Sequence, residues 1–121
     1  MRLFKNTWFT RFANKEGITD AELRETVNRL EAGQADADLG GGVYKIRIAR
    51  SGEGKAGGYR VIVFFKSEER AFFVYGFAKS DRANISHEEL RIFKKRSKDA
   101  FSMTETHINS RLRDGSLIEV F

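Results

Sequence analysis

The chain has no cysteine and no proline, and it has no apolar run long enough to cross a bilayer. Without cysteine there is no disulfide, no thiol nucleophile and no thiolate metal site. Without proline there is no rigid linker, and no internal repeat or low-complexity segment breaks the chain. The amino-terminal MRLFKNTWFTRF lacks the apolar h-region of a secretory signal, so a cytoplasmic protein with no membrane partner is expected. Histidine is scarce, with His87 and His107 far apart. There is no HExxH, and the DAD of Asp36 and Asp38 is too sparse for a metal. The expected metal and cofactor content is none. Acid is outnumbered: 22 Lys and Arg against 17 Asp and Glu give a formal net charge of +5. That excess suits nucleic acid, an anionic surface or an acidic protein, although a basic surface with no such partner carries the same charge.

What is present suffices for a folded domain. The 121 residues are 40% hydrophobic and 12% aromatic, with eleven phenylalanines to build a core. This predicts a single domain over 1–121. Arg2 to Lys5 reads as a short strand. Asn6 can cap a helix burying Trp8, Phe9 and Phe12, ended by Gly17. Thr19 and Glu22 have capping-box spacing and open a second helix through Leu23, Val27 and Leu30, closed by Gly33. Residues 34–42 read as a loop. Three strands follow, VYKIRIA, YRVIVFF and RAFFVYGFA, with a turn near Ser67 to Glu69. The last two strands are apolar at nearly every position, which predicts cover on both faces. Ser86 and Glu89 form another capping box before a helix to about Phe101. Leu90, Phe93 and Phe101 mark its buried side. Ser102 and Glu105 suggest a further cap, Gly115 a turn, and LIEVF a final strand. The expected class is α+β, an N-terminal strand and helical hairpin packed on one antiparallel sheet, with C-terminal helices.

The most informative stretch is YKIRIARSGEGKAGGYR, Tyr44 to Arg60. It sets Lys45, Arg47, Arg50, Lys55 and Arg60 against a single acid, Glu53. Glycines at 52, 54, 57 and 58 separate two alternating segments, which predicts a β-hairpin. The string Gly52-x-Gly54-x-x-Gly57 matches a dinucleotide fingerprint, but a strand follows it where the fingerprint needs a helix N-terminus. A P-loop fails because positions 49 and 56 are both Ala. The glycines form either a plain hairpin loop or a loop whose backbone N–H groups approach phosphate. Lys45, Arg47 and Arg60 fall on one sheet face. Like charges side by side destabilise a sheet, so this crowding suggests a bound anion. Arg91, Lys95 and Lys98 share a helix face that is either solvated or a phosphate track.

The segment GGGVYKIRIARSGEGKAGGYRVIVFF, followed by FVYGFAKSDRANIS and a helix, resembles the RelE/ParE superfamily of bacterial toxins from type II toxin–antitoxin systems. It is nearest to the HigB/RelE-like branch, over roughly Leu3 to Lys95. The resemblance implies a RelE-like fold and a metal-independent, ribosome-dependent mRNA endoribonuclease that represses translation. The implied partners are a cognate antitoxin, the ribosome and mRNA. Lys45 and Arg47 match the family's paired basic strand positions, Arg60 the arginine opening the next strand, and Lys79 the lysine ending the aromatic strand. These four are the expected catalytic set, with Arg50, Lys55, Arg82, Arg91 and Lys95 as expected RNA or phosphate contacts. The familiar pattern has an arginine directly after that lysine and a tyrosine a few residues on. This chain has Ser80 and about Ser86 there, with Arg82 as a substitute for the arginine. No tyrosine follows Tyr75, so the general acid is unassigned, and His87 is the nearest replacement. A ParE-like inhibitor of DNA gyrase, or an inactive module that binds RNA or antitoxin, are the alternatives.

Overall fold

The computed structural model describes residues 1–50 and 54–121, except for the side chains of residues 54–56. In order, the elements are β1 (Arg2–Asn6), α1 (Thr7–Glu16), α2 (Asp20–Glu31), β2 (Ala37–Gly40), β3 (Val43–Arg50), β4 (Gly54–Lys66), β5 (Arg70–Ala78), α3 (His87–Ser102), α4 (Glu105–Asp114) and β6 (Leu117–Val120). The strands form one sheet in the order β2-β3-β4-β5-β1-β6.

Local chemistry sets the helix ends. Asn6 leaves β1 in extended conformation, and its side-chain oxygen accepts from the Phe9 N–H at 2.7 Å. Gly17, at φ +73°, closes α1 in the left-handed region where glycine costs least. The capping boxes of Thr19 with Glu22 and of Ser86 with Glu89 are both formed. Each satisfies two backbone N–H groups that a helix start leaves unpaired.

Helices cover both faces of the sheet. On one face α1 and α2 pack Phe9, Ala13, Leu23, Val27 and Leu30 against Ile46, Ile48, Tyr59, Val61, Val63 and Phe73. On the other, α3 and α4 pack Ala100, Met103, Ile108 and partly buried Phe93 and Phe101 against Phe4, Val43, Ile62, Phe64 and Phe72. The central strands are therefore apolar on consecutive positions, as their sequences predict. Ser97, fully buried, lets α3 come down on the β2–β3 turn: a Cβ on Gly42 would stand 3.0 Å from the Ser97 Oγ.

Several expectations need correction. Residues 34–42 are not all loop, because Ala37–Gly40 pair antiparallel with β3 as an edge strand. Three successive left-handed glycines, 40 to 42, make the turn into β3, and no apolar alternation marked so short a strand. The sheet is not wholly antiparallel, since β1 runs parallel to β5. Trp8 is 42% exposed, while Phe9 is fully buried. The cap of α4 is Thr104; Ser102 ends α3 and donates to the Lys98 carbonyl. Ser51, Gly52, Glu53 and the side chain of Lys55 lie outside the described residues, and with them the expected approach of loop N–H groups to phosphate.

Gly58 is the tightest point of the β3–β4 hairpin. A Cβ there would run into the Ile48 carbonyl oxygen and stand 2.8 Å from the Arg50 nitrogen, both backbone atoms that have little freedom to shift. Gly58→Ala should therefore cost at least about 1–3 kcal/mol by overpacking. Gly17→Ala, whose Cβ meets nothing within 4 Å, should lose only about 1–2 kcal/mol for its left-handed backbone. Urea denaturation of the two variants checks the ranking.

Candidate functional site

The face carrying α3 is left open at the hairpin end. α3 begins at His87, and its Phe93 meets Phe64 and Tyr75 at ring centroid distances of 6.2 and 5.9 Å. Beyond that point the ladder continues with charged residues. Lys45 is registered with Ile62, Arg47 with Arg60, Ile62 with Tyr75, and Arg60 with Phe77. Directly opposed residues share a face. Lys45, Arg47, Arg60, Tyr75 and Phe77 therefore lie side by side across β3, β4 and β5. Lys79 follows β5 in an exposed turn.

Arg60 is at the centre of this row. It is 7% exposed, and its buried Nη1 has no hydrogen-bond partner among the described residues. A buried charged donor left unpaired costs more than the roughly 1–3 kcal/mol of a neutral one, and Arg47 directly opposite adds like-charge repulsion. Arg47 is better placed, with its Nε 3.4 Å from the Asp36 Oδ2. That distance allows an ion pair, but the Nε makes no hydrogen bond, so the contact is electrostatic. Its carbonyl oxygen accepts from the Arg29 Nη2 at 2.9 Å, which ties β3 to α2. Lys45 Nζ donates to the Asn84 Oδ1 at 3.3 Å, linking the row to the segment before α3.

Arg82 is held differently. Its Nη2 and Nη1 donate to the two oxygens of Glu89 at 2.6 and 3.0 Å, Nη1 also donates to the Tyr75 hydroxyl, and Nε donates to the Asn84 carbonyl. Its guanidinium lies over the Tyr75 and Phe77 rings at 5.9 and 5.5 Å. The Arg82 hydrogen bonds, joined by the Ser86 backbone N–H, hold the Glu89 carboxyl at about 2, and the same pairing raises Arg82. Arg82 thus fastens the 79–86 segment beside the row.

The other expected contacts are scattered. Arg50 lies over the Tyr59 ring at 5.6 Å, and Tyr59 belongs to the core on the α1–α2 face, opposite the cation row. Arg91 is exposed and paired with Glu88 at 2.7 Å, and Lys95 is exposed on α3. His87 is exposed at the first position of α3, three residues past Asn84. Asp36, Asn84 and the second role of Glu89 are partners that sequence reasoning missed. Glu89 was legible as a cap, while Asp36 and Asn84 act through contacts with residues far away in sequence.

A basic row on a sheet between two helical layers, bordered by a glycine hairpin, agrees with one further finding. The family model of the RelE toxin of the RelE/RelB toxin–antitoxin system matches residues 1–120. The chain belongs to the RelE toxin family. It is accordingly a toxin of a toxin–antitoxin system, with a cognate antitoxin as partner. None of the helices among the described residues of this RelE-family chain is long and apolar enough to cross a membrane, and no group of His, Cys, Asp and Glu among them could hold a metal ion.

The Glu89–Arg82 pair gives the fold an acid-sensitive clamp. A carboxyl whose folded value is lowered stabilises the fold above its unfolded value of about 4.3, and that contribution is lost as pH falls towards about 2. Glu89→Gln should lower Tm at neutral pH and flatten the fall in Tm between about pH 4.5 and pH 2, which calorimetry at stepped pH measures. A variant with the wild-type slope would place the acid sensitivity elsewhere.

Proposed function

We propose that this RelE-family toxin is a metal-independent, ribosome-dependent mRNA endoribonuclease, acting in the cytoplasm as a single-domain protein that represses translation. The observation that carries the reading is Arg60, which is 7% exposed and opposite Arg47, and whose buried Nη1 has no hydrogen-bond partner among the described residues. Folding alone gains nothing from that arrangement, and a phosphate seated on the row supplies the missing acceptors. The K-I-R strand with its GxGKxGG hairpin favours the HigB/RelE-like branch.

The chemistry is in-line attack of a 2′-OH on the adjacent phosphorus. The O2′–P bond forms and the P–O5′ bond breaks, leaving a 2′,3′-cyclic phosphate and a 5′-OH. The proton of the 2′-OH goes to a base and the departing O5′ takes one from an acid. Arg60, with Arg47 beside it, stabilises the charge that builds on the phosphorane oxygens. A guanidinium does not deprotonate in proteins, so Lys45 is the member of the strand row that can exchange a proton. Lys79, just past the end of β5, flanks the phosphate, and exposed His87, three residues past Asn84, is the group assigned to protonate the leaving oxygen. Arg82 contributes by holding its segment, with Glu89 already on its guanidinium.

Arg60→Met should reduce cleavage of translated mRNA by about 10²–10³-fold, the scale of losing a preorganised transition-state donor. Its Tm should stay level or rise, because a buried unpaired charge and its repulsion from Arg47 are removed together. Mapping of RNA 5′ ends after induction, with growth and thermal melts, reads both. Undiminished toxicity in folded Arg60→Met sinks the site assignment. DNA breaks without new RNA ends would transfer the protein to the gyrase-inhibiting class.

A further inference from the structure

The row of cations ends against an aromatic step that the reaction does not use. β1 pairs with β5 as far as Lys5 opposite Phe73, and then the chain leaves the sheet at Asn6, whose side chain donates to the Val74 carbonyl at 3.1 Å. From there α1 carries Trp8 along the β5 edge that β1 no longer covers. The indole packs on Tyr75 at 4.5 Å and on Phe12 at 5.3 Å between ring centroids. These contacts hold it in place yet leave it 42% exposed. Tyr75 lies on the same face as Arg60, one ladder pair along from Phe77. Strands are about 4.8 Å apart, so Trp8, just outside β5, stands roughly 10 Å from the Arg60 strand, within one or two nucleotides of the reacting phosphate.

The helix adds charge beside the ring. Arg11 and Lys15 fall three and seven residues after Trp8, on the same helical face, and all three are exposed. Neither Arg11 nor Lys15 has an ion pair among the described residues, and α1 has no acid in its first turn. A rigid exposed indole with cations alongside is the arrangement that holds single-stranded nucleic acid by stacking on a base and following its backbone.

We propose that Trp8 stacks on a nucleobase flanking the cleaved phosphate, with Arg11 and Lys15 on the backbone next to it. The stretch thus brings an exposed aromatic to the edge of the site from the amino-terminal end of the chain. It rests on the reading of the site as one that takes RNA.

Trp8 is the single tryptophan of the chain, so its fluorescence reports on this ring alone. Short single-stranded RNA, with 2′-O-methyl groups to block cleavage, should quench that fluorescence on titration into the isolated toxin. Fluorescence anisotropy of the same RNA, end-labelled, should show about 5- to 100-fold weaker binding to Trp8→Ala, most of the affinity retained by Trp8→Phe, and a smaller loss for Arg11→Ala. The wild-type quench needs no variant, so it stands even if Trp8→Ala folds poorly. RNA that binds by anisotropy without quenching Trp8, and equally well to folded Trp8→Ala, overturns the stacking role and leaves the cleavage reading intact. No binding of RNA to the wild type overturns the stacking role too, while the Arg60→Met cleavage comparison judges the active site independently.

Discussion

The structure depends on one constraint: β4 runs down the middle of a sheet whose two faces are both covered. From Val61 to Phe65 every side chain of β4 is buried, alternately against α1–α2 and against α3–α4. Such a strand has no solvent face on which to place polar residues, so its sequence must be apolar without alternation. Where that rule breaks, at Arg60, the cover on one face has run out, because α3 starts only at His87. The cation row therefore lies beyond the first turn of α3, on the hairpin side of it.

A β-bulge shapes the far side of that row. Ile62 is registered with Tyr75 but Val63 with Phe73, so Val74 is the extra residue of β5. Val74 and Tyr75, consecutive in sequence, both join the α3–α4 side of the core. Without the extra residue Tyr75 would turn to the other face, since neighbours along a strand alternate. The bulge thus brings Tyr75 beside Arg60, Arg82 and Trp8 at once. Gly76 follows it, and the Phe12 ring fills the space a side chain would take: a Cβ there would stand 2.6 Å from the ring. Trp8 and Phe12 are wrapped around the same short length of β5, from the edge and from below.

Much of this was legible in the sequence. Caps at Asn6, Thr19 and Ser86, the glycine stops and the doubly buried strands all follow from local residue types, and all are present in the fold. The convergence of Lys45, Arg47 and Arg60 was also legible, because a period of two and a single hairpin fix which residues face each other. What was hidden depends on contacts between segments far apart in the chain. The parallel β1–β5 pair joins the amino terminus to residue 70 and beyond, and no local pattern marks it. Apolar spacing placed Trp8 inside; the edge geometry of β5 leaves it half outside. Asp36 sits in a segment too short and glycine-rich to declare itself a strand, yet β2 brings it to Arg47.

The cations in and beside the row differ in how far the protein has already satisfied them. Arg82 has a bidentate carboxylate, a hydroxyl and a carbonyl, so its charge serves the scaffold. Arg47 has one carboxylate at a distance that leaves its Nε without a hydrogen bond, and Lys45 has one neutral amide. Arg60, the most buried of the four, has no partner on Nη1 among the described residues. The most buried of the four is the one left least satisfied, the reverse of what stability alone selects, since an unpaired charge is most costly where water is excluded. Surface lysines and arginines in a chain of net charge +5 carry little information singly. Arg60 is different, because its buried Nη1 has no partner among the described residues and Arg47 is registered opposite, and both features oppose folding. An anion seated on the row, as proposed above, would offset both costs, and the cations on either side of Arg60 would share its charge.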